Sequence, residues 1–100
     1  MEVILVSFES LEDAEKAANY LIDNKFSACV EIFPVTNFYI WKGEKMKANE
    51  VSGIIKTEDG YFEKIKEALG KILPYEIPQI IKLDATANEN YLKWVKESIS

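Results

Sequence analysis

Four side chains carry most of the chemistry available to this sequence: Cys29 in "ACVE", Lys56 in "IIKTE", and Tyr75 with Glu76 in "LPYEIPQI". Cys29 is the only cysteine, a soft thiolate donor suited to Cu(I) or another thiophilic ion. Glu76 offers a hard oxygen, and Glu31, two residues beyond Cys29 and so on the same side of a strand, offers a second. Cys29 and Glu76 are therefore the candidate metal ligands. Two plainer readings stand beside that one: a lone strand cysteine is more often inert core, and Glu76 more often a solvated carboxylate or an ion-pair partner of Lys56. The chain has no histidine, the usual intermediate ligand for copper and zinc. The expectation is that no cofactor is required and that copper or another divalent ion binds weakly.

Catalysis finds no foothold. Without histidine, a serine or cysteine nucleophile needs a lysine or carboxylate base, and no spacing singles one out. Neither a G-x-x-x-x-G-K-[ST] loop nor a G-x-G-x-x-G turn occurs. The chain is expected not to be an enzyme. Tyr75 suits a structural role, its ring closing one end of the core while its hydroxyl meets a polar partner. Trp41 and Trp94 read likewise as interface and core anchors before ligand platforms.

The elements that must position these residues follow from periodicity. "VILVSF" at residues 3–8 is a continuous run of β-formers, the pattern of a central strand covered on both faces. Ser10 heads "SLED", a capping-box-like start, and Leu11, Ala14, Ala18, Leu21 and Ile22 follow at helical spacing to about Asn24. From Ala28 to Thr57 the chain is β-branched or aromatic and turns at "KGE", which predicts a long hairpin. Phe62, Ile65, Leu69 and Ile72 return to helical spacing. Pro74 and Pro78 then fix a stiff loop in which Leu73 and Ile77 are not helical. "QIIKLDA" makes a fourth strand, and Asn88 is placed to cap a last helix.

The fold class predicted is α+β: a ferredoxin-like βαββαβ antiparallel sheet with two helices on one face, an extended hairpin between the second and third strands, and a C-terminal helix. Residues 1–100 are read as a single domain. A net charge of −5 disfavours a nucleic-acid partner. "SGIIKTE" on the third strand also lacks the pattern of an aromatic RNA-binding module. No apolar run approaches the roughly 20 residues of a membrane span, and residue 3 already begins a strand, so a cytoplasmic protein is expected.

The hairpin narrows the choice further. Fully extended, Ala28 to Trp41 reaches about 46 Å, against a radius of gyration of about 13 Å for a chain of this length. Pro34 is expected to mark a bulge or bend between an inner half on the sheet and an outer half, roughly residues 35–51, that projects. Phe38, Tyr39, Ile40 and Trp41 alternate between both faces of that outer half. They either fold over the chain's own helices or are buried by another subunit, because a two-stranded ribbon with wet aromatics is marginal.

"ACVEIFP", "FYIWKGE", "EVSGIIKTE", "LPYEIPQII" and "NYLKWV" follow one another in the order and spacing of the CutA family of divalent-cation tolerance proteins, which this chain resembles. The resemblance spans nearly the whole chain. It implies a ferredoxin-like subunit in a tight homotrimer with a likeness to PII-type signalling proteins, Phe38, Tyr39 and Trp41 at the trimer interface, and association with tolerance to copper and other divalent ions without catalysis. It also implies that Cys29, Lys56, Tyr75 and Glu76 belong to a cleft near subunit contacts, with Glu31 beside them. Family members commonly carry histidine where this chain has Leu73. Two functions remain: a trimeric metal-tolerance protein, or a PII-like regulatory or scaffolding module binding a small anion or a partner protein between subunits.

Overall fold

The "VILVSF" run lies in β1 (Glu2–Phe8), which has a neighbour on each edge in the computed structural model of residues 1–100. The chain continues through α1 (Leu11–Asp23), β2 (Cys29–Trp41), β3 (Glu44–Thr57), α2 (Phe62–Ile72), β4 (Ile80–Asp84) and α3 (Glu89–Ser98). The strands are antiparallel in the order β2-β3-β1-β4, the ferredoxin-like plan. Ile4, Val6 and Phe8 of β1 and Ile55 of β3 pack against Ala14, Ala17 and Leu21 of α1 and Ile65 and Leu69 of α2. Within α1 the buried stripe runs through Ala17 rather than Ala18, and Leu11 and Ile22 stay exposed. Ser10 caps α1 as expected, its Oγ accepting from the Asp13 N–H at 3.1 Å. Asn88 stands at the start of α3 but makes no side-chain cap; its carbonyl accepts from Tyr91 and Leu92.

Gly53 fits where a side chain does not. A Cβ there would lie 2.9 Å from Phe8 Cε2 and 3.0 Å from Val6 Cγ1, so the bare backbone lets two core residues of β1 close over β3. On the opposite sheet face Val3 and Leu5 are only half-buried, so a single chain covers β1 fully on one face. Part of that second face is taken by α3. Lys56 points away from the core that Ile55 enters, and its Nζ lies 5.8 Å from the Tyr91 ring centroid. Val95 is fully buried yet lies outside the cluster beneath α1 and α2.

The hairpin departs from expectation at one point. Its register runs without interruption from Cys29 opposite Lys56 to Trp41 opposite Glu44, with Pro34 opposite Val51. No bulge forms. The reason is topological: β2 is an edge strand, where a proline lacking a donor is tolerated when its nitrogen faces away from the ladder. Lys42 and Gly43 both adopt positive φ, 51° and 81°, which closes the hairpin in two residues with the twist of the strands.

The projection itself is present. β1 pairs with β3 only as far as Phe8 opposite Val51, so Val35–Trp41 and Glu44–Glu50 have only each other. The ribbon stretches the chain to 44 × 24 × 22 Å and its radius of gyration to 14.1 Å. Phe38 is 63%, Tyr39 42% and Ile40 77% exposed, so these ribbon residues are not covered by the chain's own helices.

Candidate functional site

Strand alternation decides which ribbon residues meet. Val30 and Ile32 of β2 pack on the main core, so Asn37, Tyr39 and Trp41 share the opposite face, where Glu50 of β3 also points. The Pro74–Pro78 loop docks against this face. Leu73 ends α2 in an extended conformation, with φ −75° and ψ 128°, because a residue before proline avoids the helical region. The chain then swings Tyr75 back toward the root of the ribbon. Its hydroxyl donates to Glu50 Oε2, and Asn37 Nδ2 donates to Glu50 Oε1 at 2.9 Å. Ser7 Oγ donates to Gln79 Oε1 at 3.2 Å, tying the loop's exit to β1. Between loop and ribbon lies a cleft of about 460 Å³ whose walls include Tyr39, Trp41, Tyr75, Glu50 and Glu76. The Tyr75 phenol is pushed well above its usual 10.0, first by burial, then by its hydrogen bond to Glu50 and the charges of Glu50 and Glu9.

Lys56, Glu31 and Cys29 form a separate group. Lys56 sits opposite Cys29 in the ladder, and its ammonium donates to Glu31. That hydrogen bond is the first cause of a Lys56 pKa raised above 10.5, against the opposing effect of desolvation. Glu50 and Lys56 are six positions apart on β3, about 20 Å along the strand. The two groups therefore occupy opposite ends of the sheet.

Several expectations change accordingly. Glu76 is not the ion-pair partner of Lys56, because Glu31 on the adjacent strand already holds that ammonium; Glu76 is exposed and forms no salt bridge. Cys29 and Glu76 do not meet within one chain, and nowhere do three carboxylate or thiol groups converge to hold a metal ion. Within one chain Tyr75 and Glu76 line this cleft while Lys56, Glu31 and Cys29 lie elsewhere, so a cleft near subunit contacts that joins all five is not one a single chain forms. Leu73, where histidine is common in the family, is only 8% exposed and packs in the core rather than at the cleft. Trp94 is not a core anchor: it is exposed, tilted against Tyr91 with ring centroids 5.5 Å apart. Glu50 and Asn37 are the site residues that sequence reasoning misses. Period-two phasing already puts Asn37 with Tyr39 and Trp41, but nothing in the chain's pattern announces the loop that completes the site.

Similarity to known proteins runs along the whole length. The family model described as CutA1 divalent ion tolerance protein matches residues 2–98. The divalent-cation tolerance protein CutA of Pyrococcus horikoshii is 35% identical over 98 residues, 97% of this chain and 96% of that one. The protein of the same name from Thermus thermophilus is 36% identical over 99 residues, again 97% and 96%. Among solved structures, the periplasmic divalent cation tolerance protein CutA of Archaeoglobus fulgidus superposes with a TM-score of 0.95 at 30% identity, covering 100% of both chains. The PII-like protein CutA of Nostoc sp. PCC 7120 gives 0.91 at 27% identity, covering 100% of this chain and 98% of that one.

Proposed function

The chain belongs to the CutA1 divalent ion tolerance family, and we propose that it serves tolerance to divalent metal ions as a cytoplasmic, non-catalytic homotrimer. The observation that carries this reading is the match of sequence and fold over essentially the full chain. The projecting ribbon supports the assembly: Phe38, Tyr39, Ile40 and Trp41 form an apolar surface that a neighbouring subunit buries, and pairing each ribbon removes the exposed edge of β2. The stoichiometry of three rests on the family resemblance. No helix is long and apolar enough to cross a membrane. Within a subunit Cys29 is the only thiol, so metal binding is weak and thiol-dependent, with Glu76 a carboxylate that only another subunit could bring near it. Titration of the purified protein with Cu(I), Cu(II) and Zn(II), beside the Cys29→Ser variant, tests this. Cu(I) binding lost on substitution is the expected result; tight Zn(II) or Cu(II) binding that survives it overturns the ligand assignment.

A PII-like regulatory role is the second reading, favoured by the likeness to the PII-like protein CutA of Nostoc. Its ligand would not be a small anion held in the ribbon cleft of one subunit, because that cleft carries Glu50 and Glu76 and no lysine.

A further inference from the structure

We propose that the cleft between the ribbon and the Pro74–Pro78 loop is the seat of a neighbouring subunit's ribbon, which enters it with the face that carries Lys45 and Lys47. The inference rests on the association of subunits proposed above and specifies how they meet. Strand alternation gives the ribbon two unlike faces. The front, turned toward the loop, carries Tyr39 and Trp41 with Glu44 and Glu50. The back carries Phe38 and Ile40, with Lys47 opposite the first and Lys45 opposite the second. Lys47 Nζ lies 5.7 Å from the Phe38 centroid, as two side chains on one face should.

Charge, exposure and symmetry all select this contact. Glu44 and Glu50 of the front, and Glu76 across the cleft, form no salt bridge within the chain, and neither do Lys45 and Lys47 of the back. The turn lysine, Lys42, stays over its own Trp41 ring at 5.7 Å. The chain already half-buries Trp41 and Glu50 of the front, whereas Phe38, Ile40, Lys45 and Lys47 of the back are all exposed. Ile77, 73% exposed on the loop side of the cleft, gives the 77% exposed Ile40 an apolar partner. A two-fold pairing of like faces would set lysines against lysines or carboxylates against carboxylates, which opposes association. Back-to-front contact avoids that. Because the two faces point opposite ways, two copies make such a contact only once, and at least three are needed to close a ring in which every cleft is filled.

Charge reversal tests the seat on the full-length protein, by sedimentation equilibrium at low ionic strength with circular dichroism to record that each variant is folded. Lys45→Glu combined with Lys47→Glu is expected to weaken association about tenfold at each contact, and Glu76→Lys alone to weaken it in the same direction. Adding Glu76→Lys to the double lysine variant is expected to recover about tenfold, because opposite charges then face each other again. A general loss of folding does not produce that recovery. The proposal is overturned if the combined variant associates no better than the double lysine variant, or if the wild type sediments as a dimer. If the double lysine variant does not fold, Glu76→Lys is compared with Glu76→Gln, and equal association of the two overturns the seat. A wild type that is a folded monomer removes the assembly reading as well, whereas a trimer without recovery removes this seat alone. Metal titration decides the tolerance reading separately.

Discussion

Tyr75→Phe isolates the hydrogen bond that fastens the loop to the ribbon. Phenylalanine keeps the ring, so no cavity opens, and the loss is confined to the hydroxyl that donates to Glu50 Oε2. A hydrogen bond to a charged acceptor contributes about 1.5–3 kcal/mol. Both partners are half-buried, and Glu50 keeps its bond from Asn37, so the low end applies: about 1.5 kcal/mol, or roughly 6–12 °C in Tm for a domain of this size. Thermal unfolding must be compared at one protomer concentration, because association adds to apparent stability. Pairing the change with Glu50→Gln in a double-mutant cycle gives a coupling energy of about 1 kcal/mol. Alkaline titration supplies a second reading. The folded-state pKa of Tyr75 is raised, so its contribution is complete below pH 10.0 and is lost as pH rises above that value. Lys56, raised from 10.5, acts in the same direction and leaves a residual alkaline loss in the variant. Strict additivity in the cycle, with an alkaline limb identical in wild type and Tyr75→Phe, would refute the clasp.

Other substitutions sort structure from assembly. Tyr75→Ala also removes the ring and is expected to cost about 3 kcal/mol, whereas Glu76→Gln changes the melting point little; urea denaturation compares the two. Gly53→Ala forces a methyl against Phe8 and Val6 and should destabilise by about 1–3 kcal/mol by the same measurement. Trp41→Asp places a charge in the proposed contact, and sedimentation equilibrium should show dissociation or unfolding relative to a trimeric wild type. A wild type that sediments as a folded monomer at micromolar concentration contradicts the assembly, while a dimer contradicts only its stoichiometry.

The fold is legible in the sequence because each element announces itself locally. Ser10 caps α1, the spacing of Phe62, Ile65 and Leu69 marks α2, and Pro74 stops that helix where it stops. The overshooting ribbon is legible from length alone, since no domain of this size hides so long a strand. Pro34 misleads because sequence does not say which strand lies at the edge, and only an interior proline demands a bulge. The site is legible by half. Tyr75 and Glu76 stand out between their prolines, but the partners of the polar groups depend on docking over long sequence separations: Glu50 for Tyr75, Glu31 for Lys56. Such pairings are set by tertiary packing, which leaves no periodic trace in the chain.

The uninterrupted register of the hairpin bears on the order in which the molecule is built. Its first pair, Trp41 opposite Glu44, closes a loop of two residues, and each later pair adds to one already formed. By contrast, joining Glu2 to Asp84 in the β1–β4 pair closes nearly the entire chain. Loop-closure entropy favours the first event over the second. Closure entropy therefore favours the ribbon zipping from its tip before the domain is sealed, with its exposed Phe38 and Ile40 displayed while the core is still open. Nascent chains would meet through their ribbons early, so productive association and misassembly draw on the same transient species, and the yield of refolding should fall as protein concentration rises.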